Sequence, residues 1–188
     1  MRAGPVIVLG FLTAALGGCA TFAPLPQTPA PPAKRVSLRV SASGGSYLET
    51  PPGSWRTWGP GNADLAVKAL EESGWFARVG PLVDPYDYRA QIVVREHQGY
   101  VYGGGLGLLT AFVVPTKRMD RVEVEAVVVS ASGAESRCST HQDYAVWHQL
   151  FLLPVHPFRA PAWHKLRLVE QLTLRCIASA ISEPPAGS

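Results

Sequence analysis

Two neighbouring stretches that a short glycine loop can join as a hairpin place the strongest constraint on the fold of this chain. Arg121–Ser130 reads RVEVEAVVVS, and Glu135–Trp147 reads ESRCSTHQDYAVW. Apolar and polar residues alternate from Arg121 to Ala126, as is typical of a half-buried strand. Between the two stretches, Gly133 stands at the last position of a three-residue hairpin loop, where a left-handed residue is favoured. The sequence therefore predicts a β-hairpin.

The hairpin loop also predicts the register of its two strands. Closing the loop at residues 131–133 pairs Arg121 with Asp143. It also pairs Glu123 with His141, so that opposite charges face each other across the strands. The same register places one set of residues on a single face: Val122, Val124, Ala126, Val128, Cys138 and Tyr144. A shift of one residue would lose both results.

Other segments predict further strands and two helices. The strands are expected at Val36–Ala42, Trp75–Val79 and Tyr88–Glu96, and a Gly/Pro/Ser-rich loop with Trp55 and Trp58 follows the first. Asn62 is expected to cap a helix that ends before Gly74, and Pro161 to begin a helix that reaches Ile181. This order predicts the α+β class, with an antiparallel or mixed sheet of about 4–5 strands and two helices packed on one face.

Two cysteines are expected on facing surfaces of this fold. The apolar stripe of the last helix is formed by Ala162, Leu166, Val169, Leu172, Cys176 and Ala180. Cys176 would therefore face the sheet, and Cys138 lies on the buried face of the hairpin. Two alternatives follow, which are a disulfide between Cys138 and Cys176 or two free thiols in the core.

The first residues have the layout of an export signal. Arg2 precedes an apolar stretch, Pro5–Leu16, that is too short to span a bilayer. The sequence Leu16-Gly17-Gly18-Cys19 resembles the lipobox of bacterial lipoproteins. That resemblance implies cleavage before Cys19 and acylation of this residue, and Ala20 in place of aspartate implies export to the outer membrane. An ordinary signal peptide with a chance cysteine is the alternative.

These features predict how the chain is divided. Residues 1–18 would be the lipoprotein signal peptide and 19–35 the lipidated cysteine with a proline-rich tether. Residues 36–181 would form a single α+β domain facing the periplasm, and 182–188 a disordered tail. The formal charge is +3, from 17 basic and 14 acidic residues. This weak, scattered charge argues against binding of nucleic acid.

The least polar stretch of the mature chain, Tyr100–Thr116, begins with a cluster of glycines. A dinucleotide fingerprint would need a third glycine where Thr110 stands, and a P-loop would need Gly-Lys-Ser/Thr. A membrane span needs about 20 apolar residues, more than this stretch has. Two alternatives remain, which are a buried strand at Leu106–Val114 or an exposed apolar hairpin that contacts lipid or a partner.

A second apolar stretch, Val146–Phe158, is interrupted by prolines and cannot form a regular helix. If both stretches lie at one end of the sheet, they form a large apolar patch of the kind that binds a partner or a membrane. The alternative is that one covers the other inside the core. The candidate contact residues are Leu106, Leu108, Leu109, Phe112, Trp147, Phe151, Leu152 and Phe158.

The sequence contains few features that are typical of an enzyme. His141 and Asp143 share one face of a strand, but no G-x-S-x-G elbow accompanies them, and cross-strand charge pairing explains both residues. His148, His156 and His164 lack the spacing of metal ligands. We therefore expect no catalysis, no metal and no cofactor.

The stretch ADLAVKALEESGWFARV and the following DYRAQIVVRE resemble a pattern shared by several periplasmic α+β domains. These include the lipopolysaccharide-assembly lipoprotein LptE, the N-terminal domain of TolB and the curli-secretion lipoprotein CsgG. The matching residues are Leu70, Ser73, Gly74, Phe76, Val79, Asp87, Tyr88, Ile92 and Val94. The whole chain also resembles small proteobacterial envelope lipoproteins.

That resemblance implies a partner or component of an envelope machine. The expected function is therefore that of a non-enzymatic outer-membrane lipoprotein that assists assembly or transport and docks on a protein partner through its apolar stretches. The alternative is a lipoprotein that binds lipid or lipopolysaccharide.

Overall fold

The structure, a computed structural model, describes residues 19–21, 24–27, 30–50, 53–101, 115–149 and 161–182. These residues form one mixed sheet of seven strands and two helices. The strands are β1 (Cys19–Ala20), β2 (Ser37–Thr50), β3 (Ser54–Pro60), β4 (Arg78–Gly80), β5 (Tyr88–Gln98), β6 (Thr116–Ser130) and β7 (Glu135–His148). The helices are α1 (Ala63–Glu72) and α2 (Pro161–Ser182). The predicted α+β class is confirmed.

The strands lie in the order β1-β7-β6-β5-β2-β3, and β4 pairs with the first residues of β2. Strand β2 is parallel to both β4 and β5, and the other pairs are antiparallel. A parallel pair needs a long connection, because the chain must return to the same end of the sheet. Helix α1 lies within that connection, between β3 and β4.

The predicted hairpin register is confirmed. In the β6–β7 pair, Arg121 lies opposite Asp143 and Glu123 lies opposite His141. The two N–H groups of the Arg121 guanidinium donate to the Asp143 carboxylate at 2.6 and 3.2 Å. Gly133 has a φ of 89°, the left-handed conformation that the loop requires. Alternation and loop length together fix the register, since a shift would exchange the two faces.

Three details of the prediction are wrong. The segment with Trp55 and Trp58 is not a loop, because Ser54–Pro60 pairs with the second half of β2 as the edge strand β3. The predicted strand count was too low, because β1 and β3 both join the sheet. The side chain of Asn62 does not cap α1. Its amide donates instead to the carboxylate of Glu96.

Both helices pack on one face of the sheet, and the core lies between them and the strands. The buried residues of the sheet include Leu38, Val40, Ile92, Val94, Val122, Val124, Tyr144 and Val146. Those of the helices include Ala66, Leu70, Leu168, Leu172, Cys176 and Ile177. We call this the covered face. Burying each of its larger aliphatic side chains contributes about 1.5–3 kcal/mol to folding.

The opposite side of the same strands carries no helix within the described part of the chain. The residues that point to it from the central strands include Tyr47, His97, Arg121, Glu123, Asp143 and Trp147. We call this the open face. Among the described residues, no helix is long and apolar enough to cross a membrane.

Candidate functional site

One end of the sheet brings together the strand that contains the predicted lipidation residue and the borders of both apolar stretches. Cys19 pairs with His148 at the end of β7, and Thr116 at the start of β6 pairs with the same histidine. Strand β5 ends here as well, since Gln98 pairs with Asp120. We call this the anchor end. It comprises Cys19, Gln98–Val101, Pro115–Thr116 and His148–Gln149.

The apolar stretches join the sheet at this end. The described chain stops at Val101 and resumes at Pro115, and it stops at Gln149 and resumes at Pro161. Most of the predicted contact residues lie outside the described residues: Leu106, Leu108, Leu109, Phe112, Phe151, Leu152 and Phe158. The described flanks of both stretches lie at the same end of the sheet, and the predicted apolar patch itself lies outside the described residues.

Trp147 is the predicted contact residue that the structure describes. It is half-buried and lies on the open face, opposite Ala20 of β1. The ammonium of Lys117 lies 5.7 Å from the centre of its indole ring, within the range of a cation–π contact. Trp163, in the first turn of α2, is 66% exposed. Indole rings have an apolar body and a polar N–H, so they suit boundaries between water and apolar surroundings.

The backbone of Cys19 is described as part of β1, inside the segment predicted as a tether. Thr21, two residues later, is buried. The start of the predicted tether is therefore packed against the domain, while its later residues, such as Pro24 and Leu25, are exposed. The lipidation of Cys19 stays a prediction.

The structure joins Cys138 and Cys176 in a disulfide, with Cα atoms 5.5 Å apart. The bond links β7 to α2 on the covered face. It thereby fastens the last helix to the strand whose far end pairs with β1. The sequence left this bond and two free thiols as alternatives.

A buried carboxylate that the sequence did not single out holds both helices near the anchor end. Glu96 is 1% exposed, and its Oε2 accepts hydrogen bonds from Lys165 Nζ at 2.8 Å and Ser46 Oγ at 3.2 Å. Its Oε1 accepts from the backbone N–H and the side-chain amide of Asn62, at 2.9 and 2.5 Å. Burial raises the pKa of Glu96, and the bonds from Lys165 and Asn62 outweigh it, so that the net pKa is lowered.

A second buried carboxylate lies beside the anchor end. Asp120 receives two hydrogen bonds from the guanidinium of Arg118, at 2.7 and 2.8 Å, and one from the backbone N–H of Gly99 at 3.2 Å. Burial raises the pKa of Asp120 in spite of these donors. A Cβ at position 99 would collide with the carbonyl oxygen of Met119, so this position requires glycine.

The open face carries a groove of about 580 Å³ next to the anchor end. Trp55 and Met119 supply apolar surface to it, and each is about half exposed. The ring of His97 lies between those of two aromatic residues. Tyr47 stacks on it with ring centres 5.1 Å apart, and Trp55 contacts it edge-on at the same distance.

Paired charges surround these rings. The Arg121–Asp143 pair lies at one side of the groove, and Arg95 lies 2.7 Å from Glu125 and 3.7 Å from Glu123. Burial lowers the pKa of His97, and nearby Glu123 opposes this only in part, so the imidazole is neutral near pH 7. Glu49 accepts backbone N–H bonds from Gly53 at 2.7 Å and Tyr100 at 3.0 Å. These bonds lower its pKa.

The described residues contain no cluster of three or more His, Cys, Asp or Glu that could hold a metal ion. His141 faces Glu123 across the hairpin, as predicted from the sequence. Around the groove, titratable groups are engaged with one another, namely Arg95 and His97 with Glu123, and Arg121 with Asp143.

Comparisons with known proteins give no family. No family model matches the sequence, and no curated protein matches it. A crystal structure of a DUF330 protein from Xanthomonas campestris is similar with a TM-score of 0.43 and 15% identity, covering 85% of this chain and 95% of that one. A structure of a PelC dodecamer from Paraburkholderia phytofirmans has a TM-score of 0.31 and 18% identity, covering 77% and 95%. Both TM-scores are below 0.5, so neither neighbour contributes to a functional proposal.

Proposed function

We propose that this protein is a non-enzymatic lipoprotein, anchored in the outer membrane through Cys19, that docks on an envelope protein through its anchor end. The observation that carries the proposal is the meeting of three features at one end of the sheet. These are strand β1 with Cys19, the border of the apolar residues 102–114 and the border of the apolar residues 150–160. A partner in the membrane or at its surface would meet all three together.

Physical chemistry supports this arrangement. Each buried CH₂ of an acyl chain contributes about 0.8 kcal/mol, so several chains on one residue give lasting attachment. The pairing of Cys19 with His148 keeps that residue next to the sheet rather than at the end of a long free tether. The anchor end would then face the lipid surface, and its apolar neighbours would be held where a membrane-embedded partner presents apolar surface.

The function is tested by recovery of partners from cells. A C-terminally tagged chain is cross-linked in living cells and purified from outer membranes, and the co-purified proteins are identified by mass spectrometry. We expect one stoichiometric protein partner. The variants Leu108→Ala and Phe151→Ala should weaken its recovery and leave the melting temperature of the domain unchanged.

Three results would count against this proposal. Recovery of the protein alone, or with lipid only, would show that it has no stable protein partner. Lipid that remains bound after delipidation of the anchor would favour the lipid-binding alternative. Unfolding of both alanine variants would show that Leu108 and Phe151 belong to the core. An unaltered protein that takes up no labelled palmitate, or no more than a Cys19→Ser variant takes up, would reject the anchor itself.

A further inference from the structure

We propose that the groove on the open face binds a pyranose ring of a glycan, with Trp55 as the stacking surface. This inference does not depend on the docking function, because the groove is formed by the open face and not by the apolar stretches. The groove is lined by residues from β2, β3, β5, β6 and β7 or next to their ends. No single segment of the sequence could therefore have indicated it.

The first reason is the shape and chemistry of the walls. Ligand sites combine apolar surface with a few polar groups that fix orientation. Trp55 and Met119 supply the apolar surface, and 47% of the Trp55 side chain is open to solvent although its ring already contacts His97. A pyranose has C–H groups on one face, which suit the electron-rich face of an indole, and hydroxyls around its rim.

The second reason is that ion pairs hold the polar side chains of the groove in fixed orientations. Arg121 and Asp143 hold each other in a two-bond fork, and Arg95 bridges Glu125 and Glu123. Such paired side chains are fixed in orientation, and each retains further donor or acceptor capacity. Hydroxyl groups can both donate and accept, so they can bond to the carboxylates and to the guanidinium.

The third reason is the charge balance of the groove, which argues against an anionic ligand. The carboxylates of Asp143, Glu123 and Asp120 each face an arginine, namely Arg121, Arg95 and Arg118. Glu49 is bound by two backbone N–H groups. His97 is neutral near pH 7, because burial lowers its pKa. The Arg121–Asp143 and Arg118–Asp120 pairs are compensated, whereas Glu49 and the two glutamates that share Arg95 leave an excess of negative charge. This balance disfavours an anion, the paired groups suit hydroxyls, and the spermine titration tests for a cation.

Two tryptophans of one strand provide the test. Trp55 lines the groove, whereas Trp58, on the same edge strand and 70% exposed, is not among the lining residues. Neither Trp55→Ala nor Trp58→Ala removes a core side chain, so both variants should fold. The mature lipidated protein is purified in a detergent without a sugar headgroup and titrated with cellotriose or N-acetylglucosamine trimer by calorimetry, with spermine and inorganic phosphate as charged probes.

We expect saturable binding of one trisaccharide with a Kd on the order of 1 mM. The Trp55→Ala variant should bind about tenfold more weakly, whereas Trp58→Ala should match the unaltered protein. Preference for the N-acetylglucosamine trimer would identify glycans with N-acetylated sugars as the source of the pyranose, and preference for cellotriose would identify neutral hexose polymers.

The proposal is overturned by any of three results. These are no saturable binding of either trisaccharide up to about 20 mM, equal binding by Trp55→Ala, or binding of spermine or phosphate in their place. Absence of glycan binding by the unaltered protein, together with recovery of a protein partner, would reject this proposal and leave the docking function standing. Glycan binding without a recovered partner would reject the docking function and leave this proposal standing.

Discussion

The covered and open faces are made by the same strands but differ in what holds their side chains. On the covered face, aliphatic residues fill a core, and the buried Glu96 is bonded from three other elements. On the open face, rings and ion pairs contact one another with water nearby. A glutamate of the covered face therefore contributes strongly to folding, whereas a glutamate of the open face contributes little, because solvent weakens surface ion pairs.

The largest effect expected from this contrast is loss of the disulfide on the covered face. Cys138 and Cys176 are separated by 38 residues. Closing a loop of that size lowers the conformational entropy of the unfolded chain and raises its free energy by about 4 kcal/mol. The double variant Cys138→Ala/Cys176→Ala should lose about that much free energy of unfolding, measured in urea. Reductant should lower the urea midpoint of the unaltered protein and leave that of the double variant unchanged. An unaltered protein insensitive to reductant would contradict this role.

The next effect compares two glutamates of adjacent strands. Glu96→Ala leaves the Lys165 ammonium without its buried partner, and we expect a loss of about 3 kcal/mol in the free energy of unfolding. The matched variant on the open face, Glu123→Ala, should cost less than about 1 kcal/mol. Equal losses, measured by urea unfolding, would remove the distinction between the two faces.

The sequence predicted the elements that carry strong periodicity. The register of the β6–β7 hairpin was predicted to the residue, because the charge pairs and the Gly133 loop agree, but β6 begins at Thr116 rather than at Arg121. Pro161 marked the start of α2. Strand β3 was missed, because glycine, proline and serine around it indicate a loop, and its strand conformation depends on pairing with the distant end of β2. Two residues of β1 are too few to show a pattern.

The anchor end and the groove also differ in how much of each the sequence could predict. A common position of the two apolar stretches could be stated only as a condition, since the sequence does not show the strand order that places their described flanks at one end of the sheet. Glu96 had a local signal, because it continues the inward positions of Ile92 and Val94. The groove had none, since Trp55 and His97 meet only when β2 pairs with β3 on one side and β5 on the other.

A smaller effect concerns the ion pair of the open face. The Arg121–Asp143 pair has two good hydrogen bonds, but both side chains are about half exposed. A double-mutant cycle with Arg121→Ala and Asp143→Ala should therefore give a coupling energy of about 0.5 kcal/mol. Added salt should reduce it further. A coupling energy as large as the loss in Glu96→Ala would show that the open face also contributes strongly to folding.

The smallest effect is a pH dependence from His97. Burial lowers its pKa, Arg121 and Arg95 add to this, and Glu123 opposes it, while the rings of Tyr47 and Trp55 contact the imidazole. The unfolded chain thus binds the proton at higher pH than the folded one. The contribution of His97 to stability is complete above about pH 6.5 and is lost as the pH falls through the lowered pKa of the folded state.

Urea unfolding from about pH 7.5 to about pH 5 should therefore give a shallower fall in stability for His97→Gln than for the unaltered protein. His148, whose pKa is lowered by burial and by Arg118, should account for part of the slope that remains. Identical slopes in the two proteins would contradict the assignment to His97.

The most direct test of the anchor end as the docking site is site-specific photo-cross-linking in cells. A photoreactive residue replaces Leu108 or Phe151, and Leu82 provides the control, because it is 90% exposed and lies in the connection between β4 and β5 at the opposite end of the sheet. We predict that positions 108 and 151 cross-link to the same protein and that position 82 does not. Cross-links to that protein from position 82 alone, or from none of the three, would contradict docking at the anchor end.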